Sequence, residues 1–319
     1  MPRAIRCGCA HDRRLLRRPL LGMTRRGANA TGFVAVLLWS LLALLTTRAA
    51  PVPPLLLNVV CFGIGGVVGI IWMLLTDDTG ALRAVPLRVY AFGTAGLFGY
   101  HLLYFSALRL AAPHGAEAQA GLIAYLWPLL IVLLSGLLPG ERLRAGHLLG
   151  AVLALAGATL LIPGTEVGGT GAGALPSYAL AGLCALVWAG YSVASRRLGD
   201  VPTASVAVFC LATAALSLPL HLALEEAAWP DTNVGWAALL ALGAGPVGAA
   251  FYVWDIGMKR GDIQLLGTAS YAAPVLSTAS LVIAGVAEPN WRLGGAAALI
   301  AAGAFLAARS SRSAAPSAP

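Results

Sequence analysis

Residues 37–48 read Leu-Leu-Trp-Ser-Leu-Leu-Ala-Leu-Leu-Thr-Thr-Arg, and residues 186–197 read Leu-Val-Trp-Ala-Gly-Tyr-Ser-Val-Ala-Ser-Arg-Arg. Each stretch is apolar enough for a bilayer and each places a tryptophan nine residues before an arginine. Trp39/Arg48 and Trp188/Arg197 are thus related by an offset of 149 residues. The same relation extends outward from these stretches. Gly93 pairs with Gly243 and Arg109 with Lys259 at 150 residues; Tyr125-Leu-Trp-Pro128 pairs with Tyr271-Ala-Ala-Pro274 at 146, as does Gly157 with Gly303. The chain therefore reads as two copies of one unit, with small drifts in offset of the kind that loop-length differences produce.

Composition sets the solvent. Hydrophobic residues make up 59% of the 319 and charged residues only 11%, against about 25% charged in soluble domains. So much apolar sequence requires lipid, and crossing the hydrocarbon takes roughly 20 apolar residues. Ten segments qualify: 30–47, 52–75, 87–108, 116–138, 145–162, 178–195, 205–224, 237–258, 265–285 and 293–308. Their apolar runs are continuous and not alternating, which predicts helices and not a barrel. Glycine-rich runs such as Gly-Ile-Gly-Gly-Val-Val-Gly at 63–69 suit close helix packing.

The net charge of +8 invites a nucleic-acid reading, but its distribution reports orientation instead. Eighteen of the 21 Lys and Arg fall on one side of a ten-span arrangement: eight in the N-terminal arm, then Arg83/Arg88, Arg142/Arg144, Arg196/Arg197, Lys259/Arg260 and Arg309/Arg312. Arg48, Arg109 and Arg292 fall opposite, with Glu166, Glu225, Glu226, Asp231 and Glu288. By the positive-inside rule both termini are cytoplasmic. Since each unit has five spans, an odd number, the second must enter the membrane from the other side. The expected fold is an all-α membrane protein: ten transmembrane helices as two inverted five-helix repeats.

The expected organisation is a basic arm at 1–29, a first repeat at 30–162, an external Gly/Thr-rich linker at 163–177, a second repeat at 178–308 and a disordered tail at 309–319. Residues 1–22 read as an extension ahead of an alternative start at Met23. The arm is too charged for a cleaved signal, so the first span serves as a signal-anchor. Cys7-Gly-Cys-Ala-His11 stands alone in this arm, and neither a metal nor a cofactor is expected.

Several residues that favour headgroup belts fall at membrane depth instead. On a rise of about 1.5 Å per residue, Trp39, Trp188, Tyr125 and Tyr271 lie near mid-span, with Trp127, Tyr191 and Trp254 close by. Packing between helices would account for any one of them; recurrence at matched positions favours a cavity wall. His101 and Tyr104 share a helical face, and an ionisable group in the membrane is a functional candidate. Asn58 is a further polar candidate. Pro128 and Pro274 fall at equivalent positions, and each frees the carbonyl four residues earlier, at Ala124 and Ser270. Paired interruptions of this kind mark transporter sites near the midplane. Asp255 and Lys259, four residues apart, suit an ion pair or a gate.

At these residues the chain resembles the drug/metabolite transporter superfamily: the Leu-x-Trp opening of each half, Trp254-Asp-Ile-Gly257, and Ala272-Ala-Pro-Val-Leu276. Tyr125-Leu-Trp-Pro128 is similar to the bacterial aromatic amino-acid exporter branch, although many members carry Asn at the position of Asp255. The resemblance implies efflux of amino acids, aromatic ones included, through a central cavity of an inner-membrane protein. The expected partners are amino-acid substrates and the lipid bilayer, with a monomer as the working unit and no nucleic acid. Trp39, Asn58, His101, Tyr104, Tyr125, Trp127, Pro128, Trp188, Tyr191, Trp254, Tyr271 and Pro274 form the expected binding set.

Rival cargoes on the same fold are another small metabolite or a drug. Cationic drugs would favour a midplane acid, and nucleotide sugars would favour deep arginines; neither is visible. An enzyme is not expected. Gly190-Tyr-Ser-Val matches a serine-protease pattern, but on a rise of about 1.5 Å per residue Ser192 and His221 lie on the order of 15 Å apart in depth.

Overall fold

The computed structural model describes residues 23–76, 82–160, 172–199, 201–285, 288 and 291–312. The arm at 1–22, with its Cys7 and His11, most of the linker at 163–177, and residues 313–319 lie outside them. Among the described residues the chain is helical and contains no strand.

The first span divides into α1 (Arg25–Trp39) and α2 (Leu42–Arg48). Thr24 starts α1 by accepting the Gly27 N–H at 3.1 Å, so the last residues of the expected arm are helical. The Ser40 hydroxyl turns back on the Leu37 carbonyl at 2.6 Å where α1 ends, the local competition by which short polar side chains loosen helices. There follow α3 (Pro54–Thr76), α4 (Leu87–Ala111), α5 (Glu117–Ala124), α6 (Trp127–Ser135), α7 (Ala145–Thr159), α8 (Leu175–Ser195) and α9 (Ser205–Leu224). The chain continues through α10 (Asn233–Ala244), a π turn at Gly245–Ala249, α11 (Ala250–Arg260), α12 (Ile263–Ala269), α13 (Ala272–Ile283) and α14 (Trp291–Arg312). Helix α14 runs past the expected boundary into the tail, and Arg144 holds the Ser310 carbonyl at 3.3 Å.

Among the described residues six helical spans are long and apolar enough to cross a membrane: Arg25–Arg48, Pro54–Leu74, Leu175–Leu198, Ser205–Leu224, Asn233–Arg260 and Ile263–Ile283. Gln119–Ser135, Ala145–Thr159 and Gly294–Ser310 are shorter apolar helices. Helix α4 has the length, 25 residues, but carries Arg88, His101, Arg109 and three tyrosines. Large apolar side chains such as Leu87, Leu222 and Ile283 point outward, the pattern of a protein whose solvent is lipid.

Packing joins elements far apart in sequence. Helix α1 lies against α11, α3 against α9, α4 against α8, α6 against α12, and α7 against α14. Several of these contacts depend on glycine. A Cβ on Gly32 would lie 2.9 Å from the Gly257 Cα, and one on Gly150 would strike the Gly303 carbonyl. Without a hydrophobic force between helices in lipid, such close approach supplies the van der Waals contact that holds them.

Pro128 and Pro274 interrupt their spans at equivalent positions, as expected, but from the start of a helix and not from its interior. They occupy the first turns of α6 and α13, where a missing N–H costs nothing. The helices break just upstream, at Tyr125-Leu126 and Ser270-Tyr271. Nor is the Ser270 carbonyl free, because it accepts from the Tyr125 hydroxyl at 3.3 Å and from Ala273 N–H at 3.1 Å.

Candidate functional site

A cavity of about 770 Å³ lies between these elements, within the range of small-molecule sites. Its lining comes from the midpoints and one end of the spans. Trp39, Leu42 and Thr46 of the first span contribute, with Pro54 and Asn58 at the start of α3, Tyr100 to Phe105 in the second half of α4, and Ala273 to Ser277 early in α13. The chamber therefore opens toward the end that holds Arg48 and Pro54. Among the described residues none of the lining comes from the end that holds Arg196 and Asp262; there Trp254, Met258, Ile263 and Leu266 pack fully buried, so the chamber is closed at that end.

Its floor is an aromatic cluster. The Trp39 ring meets Trp127 at 6.0 Å, Trp188 at 5.9 Å and Trp254 at 5.0 Å between centroids, mostly edge to face, the arrangement that ring quadrupoles favour. The Trp39 indole N–H donates to the Pro246 carbonyl at 3.1 Å. That carbonyl is in the π turn, a distortion common at functional sites. One wall is built by α4. Tyr100 and Tyr104 stack in parallel at 6.1 Å, and His101 stands edge-on to Phe62 at 4.8 Å.

His101 Nδ1 lies 2.7 Å from the Leu97 carbonyl. A carbonyl only accepts, so Nδ1 carries the proton, and the neutral ring offers Nε2 as an acceptor. A ring in this tautomer suits an ammonium group as its donor. Polar lining is otherwise supplied by Asn58, Thr46, Tyr104, Tyr125 and Ser277. No Asp, Glu, Lys or Arg is among the described lining residues.

Of the expected binding set, Trp39, Asn58, His101, Tyr104, Tyr125, Trp127, Trp188 and Pro274 line the cavity. Pro128, Tyr191, Trp254 and Tyr271 are buried behind it. Trp254 donates to the Ser192 hydroxyl at 3.1 Å, which supports the floor from below and engages the serine of the protease-like pattern. Tyr191 fills the space beside Gly96 and lies 5.4 Å from Trp188. The Tyr271 hydroxyl accepts the Leu129 N–H at 3.2 Å. Together with the Tyr125–Ser270 bond, this makes the two broken helices brace each other at their breaks.

Asp255 and Lys259 are not at the cavity. They form a buried ion pair at 2.8 Å. Asp255 also accepts from Thr203 at 2.7 Å, and Lys259 donates to the Val201 carbonyl at 2.9 Å. The sequence reading missed Tyr100, Phe105 and Phe251 as lining residues. For Tyr100 the signal was present: it precedes Tyr104 by four residues, a spacing that shares a helical face.

A polytopic helical chain whose described residues enclose an uncharged, aromatic-walled chamber, open at one end and sealed at the other, has the form of a membrane transporter of small molecules. The sequence pattern of the EamA-like transporter family matches twice, at residues 27–162 and 175–309, and the chain belongs to that family. It is 54% identical to Aromatic amino acid exporter YddG of Ancylobacter novellus over 89% of this chain and 98% of that one. It is 27% identical to the protein of the same name from Salmonella typhimurium, over 81% and 88%. A solved crystal structure, 54% identical, matches with a TM-score of 0.84 over 91% of this chain and 99% of its own. The chain is accordingly a multi-pass protein of the bacterial inner membrane and a transporter, not an enzyme.

Proposed function

We propose that this protein exports amino acids, aromatic ones included, by alternating access through the central chamber. The observation that carries the reading is the chemistry of the wall. A chamber with abundant ring surface and no fixed charge suits a zwitterion, whose own charges cancel, better than an anion or a cation that would enter without a counter-charge. Aromatic faces accommodate side chains of many shapes. The neutral His101 Nε2 is placed to accept from the α-amino group, and Asn58 and Tyr104 can donate to the carboxylate. The name borne by the relatives supports the same cargo.

Ten spans in two inverted repeats remain the topology we favour, with both termini cytoplasmic. The twofold family match supports it. So does the pairing of elements: shifting each span by five exchanges the α1–α11 contact with α8–α4 and leaves α3–α9, α6–α12 and α7–α14 in place. The packing argues against the two repeats moving as rigid halves, because that cut would separate α1 from α11 and α4 from α8. Units of α1 with α11, α12 and α13, and of α4 with α5, α6 and α8, keep these contacts intact. The working unit is a monomer and needs no cofactor.

No carboxylate that could carry a proton is among the described lining residues, which favours transport down the substrate gradient. Counterflow in proteoliposomes tests both points. Labelled phenylalanine and threonine should exchange without an imposed pH gradient. Strict dependence on such a gradient would refute uniport, and no exchange of any amino acid would refute the cargo.

A further inference from the structure

The sealed end of the chamber is tied by a polar latch separate from the binding wall. Arg196 lies just after α8, in the short 3-10 turn Arg196–Leu198. Its Nη1 donates to the Met258 carbonyl at 3.0 Å and to the Gly261 carbonyl at 2.7 Å. These are the last carbonyls of α11 and its cap, groups that a helix leaves without internal partners, and a cation is favoured at that negative end. Nη2 donates to Glu141 Oε1 at 2.7 Å. Glu141 lies between α6 and α7, and its other oxygen accepts from Gln264 of α12 at 3.3 Å. The Arg196 and Glu141 side chains are only 21% and 15% exposed.

The connections cross between units. Arg196 and Glu141 belong with α8 and α6; Met258, Gly261 and Gln264 belong with α11 and α12. Glu141 fixes Arg196 within its own unit, and both residues then reach across. We propose that Arg196, positioned by Glu141, is the latch that keeps the closed end shut, and that releasing its bonds to the end of α11 is the step that opens the chamber on that side. The proposal rests on alternating access but not on the identity of the cargo. Neighbouring Arg197 provides the contrast. Its Nη2 donates to the Leu137 carbonyl at 3.3 Å, a contact within one unit.

The test is a spin-label distance measurement on purified protein in lipid. Labels go at Arg26→Cys and Leu137→Cys, exposed positions at the closed end of opposite units, in a background whose five native cysteines are replaced and which retains transport. The parent should give a short distance. Arg196→Gln should raise the population at longer distance by about ten-fold, the change expected from losing a charge-assisted hydrogen bond. Glu141→Gln should raise it less, because Arg196 then keeps its carbonyls but loses its anchor. Arg197→Gln should match the parent. Unchanged distances in folded Arg196→Gln protein, or equal shifts in the Arg196 and Arg197 variants, would overturn the latch. These distances are read without substrate. Failure of the latch would leave amino-acid exchange intact, and failure of the cargo assignment would leave the distances responsive.

Discussion

At the scale of single residues, the chamber differs from its sequence outline in what its polar atoms are free to do. His101 was visible as an ionisable group in a span, but its role depends on the Leu97 carbonyl at 2.7 Å, which fixes the proton on Nδ1. Substitution of His101 by Ala should lower amino-acid exchange by about ten-fold, the effect of one lost substrate hydrogen bond. His101→Gln, which can still offer a side-chain oxygen, should retain more. Equal flux in parent and Ala variant, measured by counterflow, would remove His101 from the site. Asp255 makes the opposite case. Its partner Lys259 is equally buried, and breaking a buried pair leaves an uncompensated charge that costs about 3–5 kcal/mol. Asp255→Asn alone should therefore reduce thermal stability in detergent, and adding Lys259→Met should restore much of it with transport retained. If the double variant is stable yet does not transport, the pair acts as a gate and not as a structural tie. Spacing alone showed the pair; only the bonds to Thr203 and Val201 show that it faces a loop and not the chamber.

At the scale of elements, the two broken spans carry the architecture of the site. Pro128 and Pro274 were legible as interruptions, since proline in a helix interior kinks or breaks it. The position of each break was not legible, because proline is welcome in a first turn and the chain yields one or two residues earlier. What keeps the breaks ordered is the exchange between Tyr125 and Ser270 and between Tyr271 and Leu129. Tyr271→Phe removes the acceptor for a buried N–H and should cost about 1–3 kcal/mol, read as a lower unfolding temperature. An unchanged temperature would show that the Leu129 donor finds another partner. The α1–α11 crossing is a second such element. With the Gly32 and Gly257 Cα atoms this close, Gly257→Val must separate the helices. The expected cost is about 1–3 kcal/mol or more, with loss of transport, because α1 carries Trp39 into the chamber floor. Retained stability and flux would mean that the crossing can slide without penalty.

At the scale of the whole molecule, orientation is the property to test. Impermeant labelling of cysteines at 196–197 and 259–260 should place both pairs on the cytoplasmic side, because the Arg196 side chain reaches the Met258 and Gly261 carbonyls directly. Labelling from opposite sides would refute the inverted arrangement. The sequence by itself determined that lipid is the solvent, that the chain is helical, that two related units follow one another, and that aromatic residues gather at depth. These are properties of composition, periodicity and spacing, carried by each segment on its own. Tertiary structure alone decided which spans meet, which side of each aromatic faces empty space, and which end is shut. Each of these depends on contacts between residues distant in the chain. Arg196 reads as one more cytoplasmic arginine until α11 ends beside it, and Tyr271 reads as a binding residue until α6 begins against its hydroxyl.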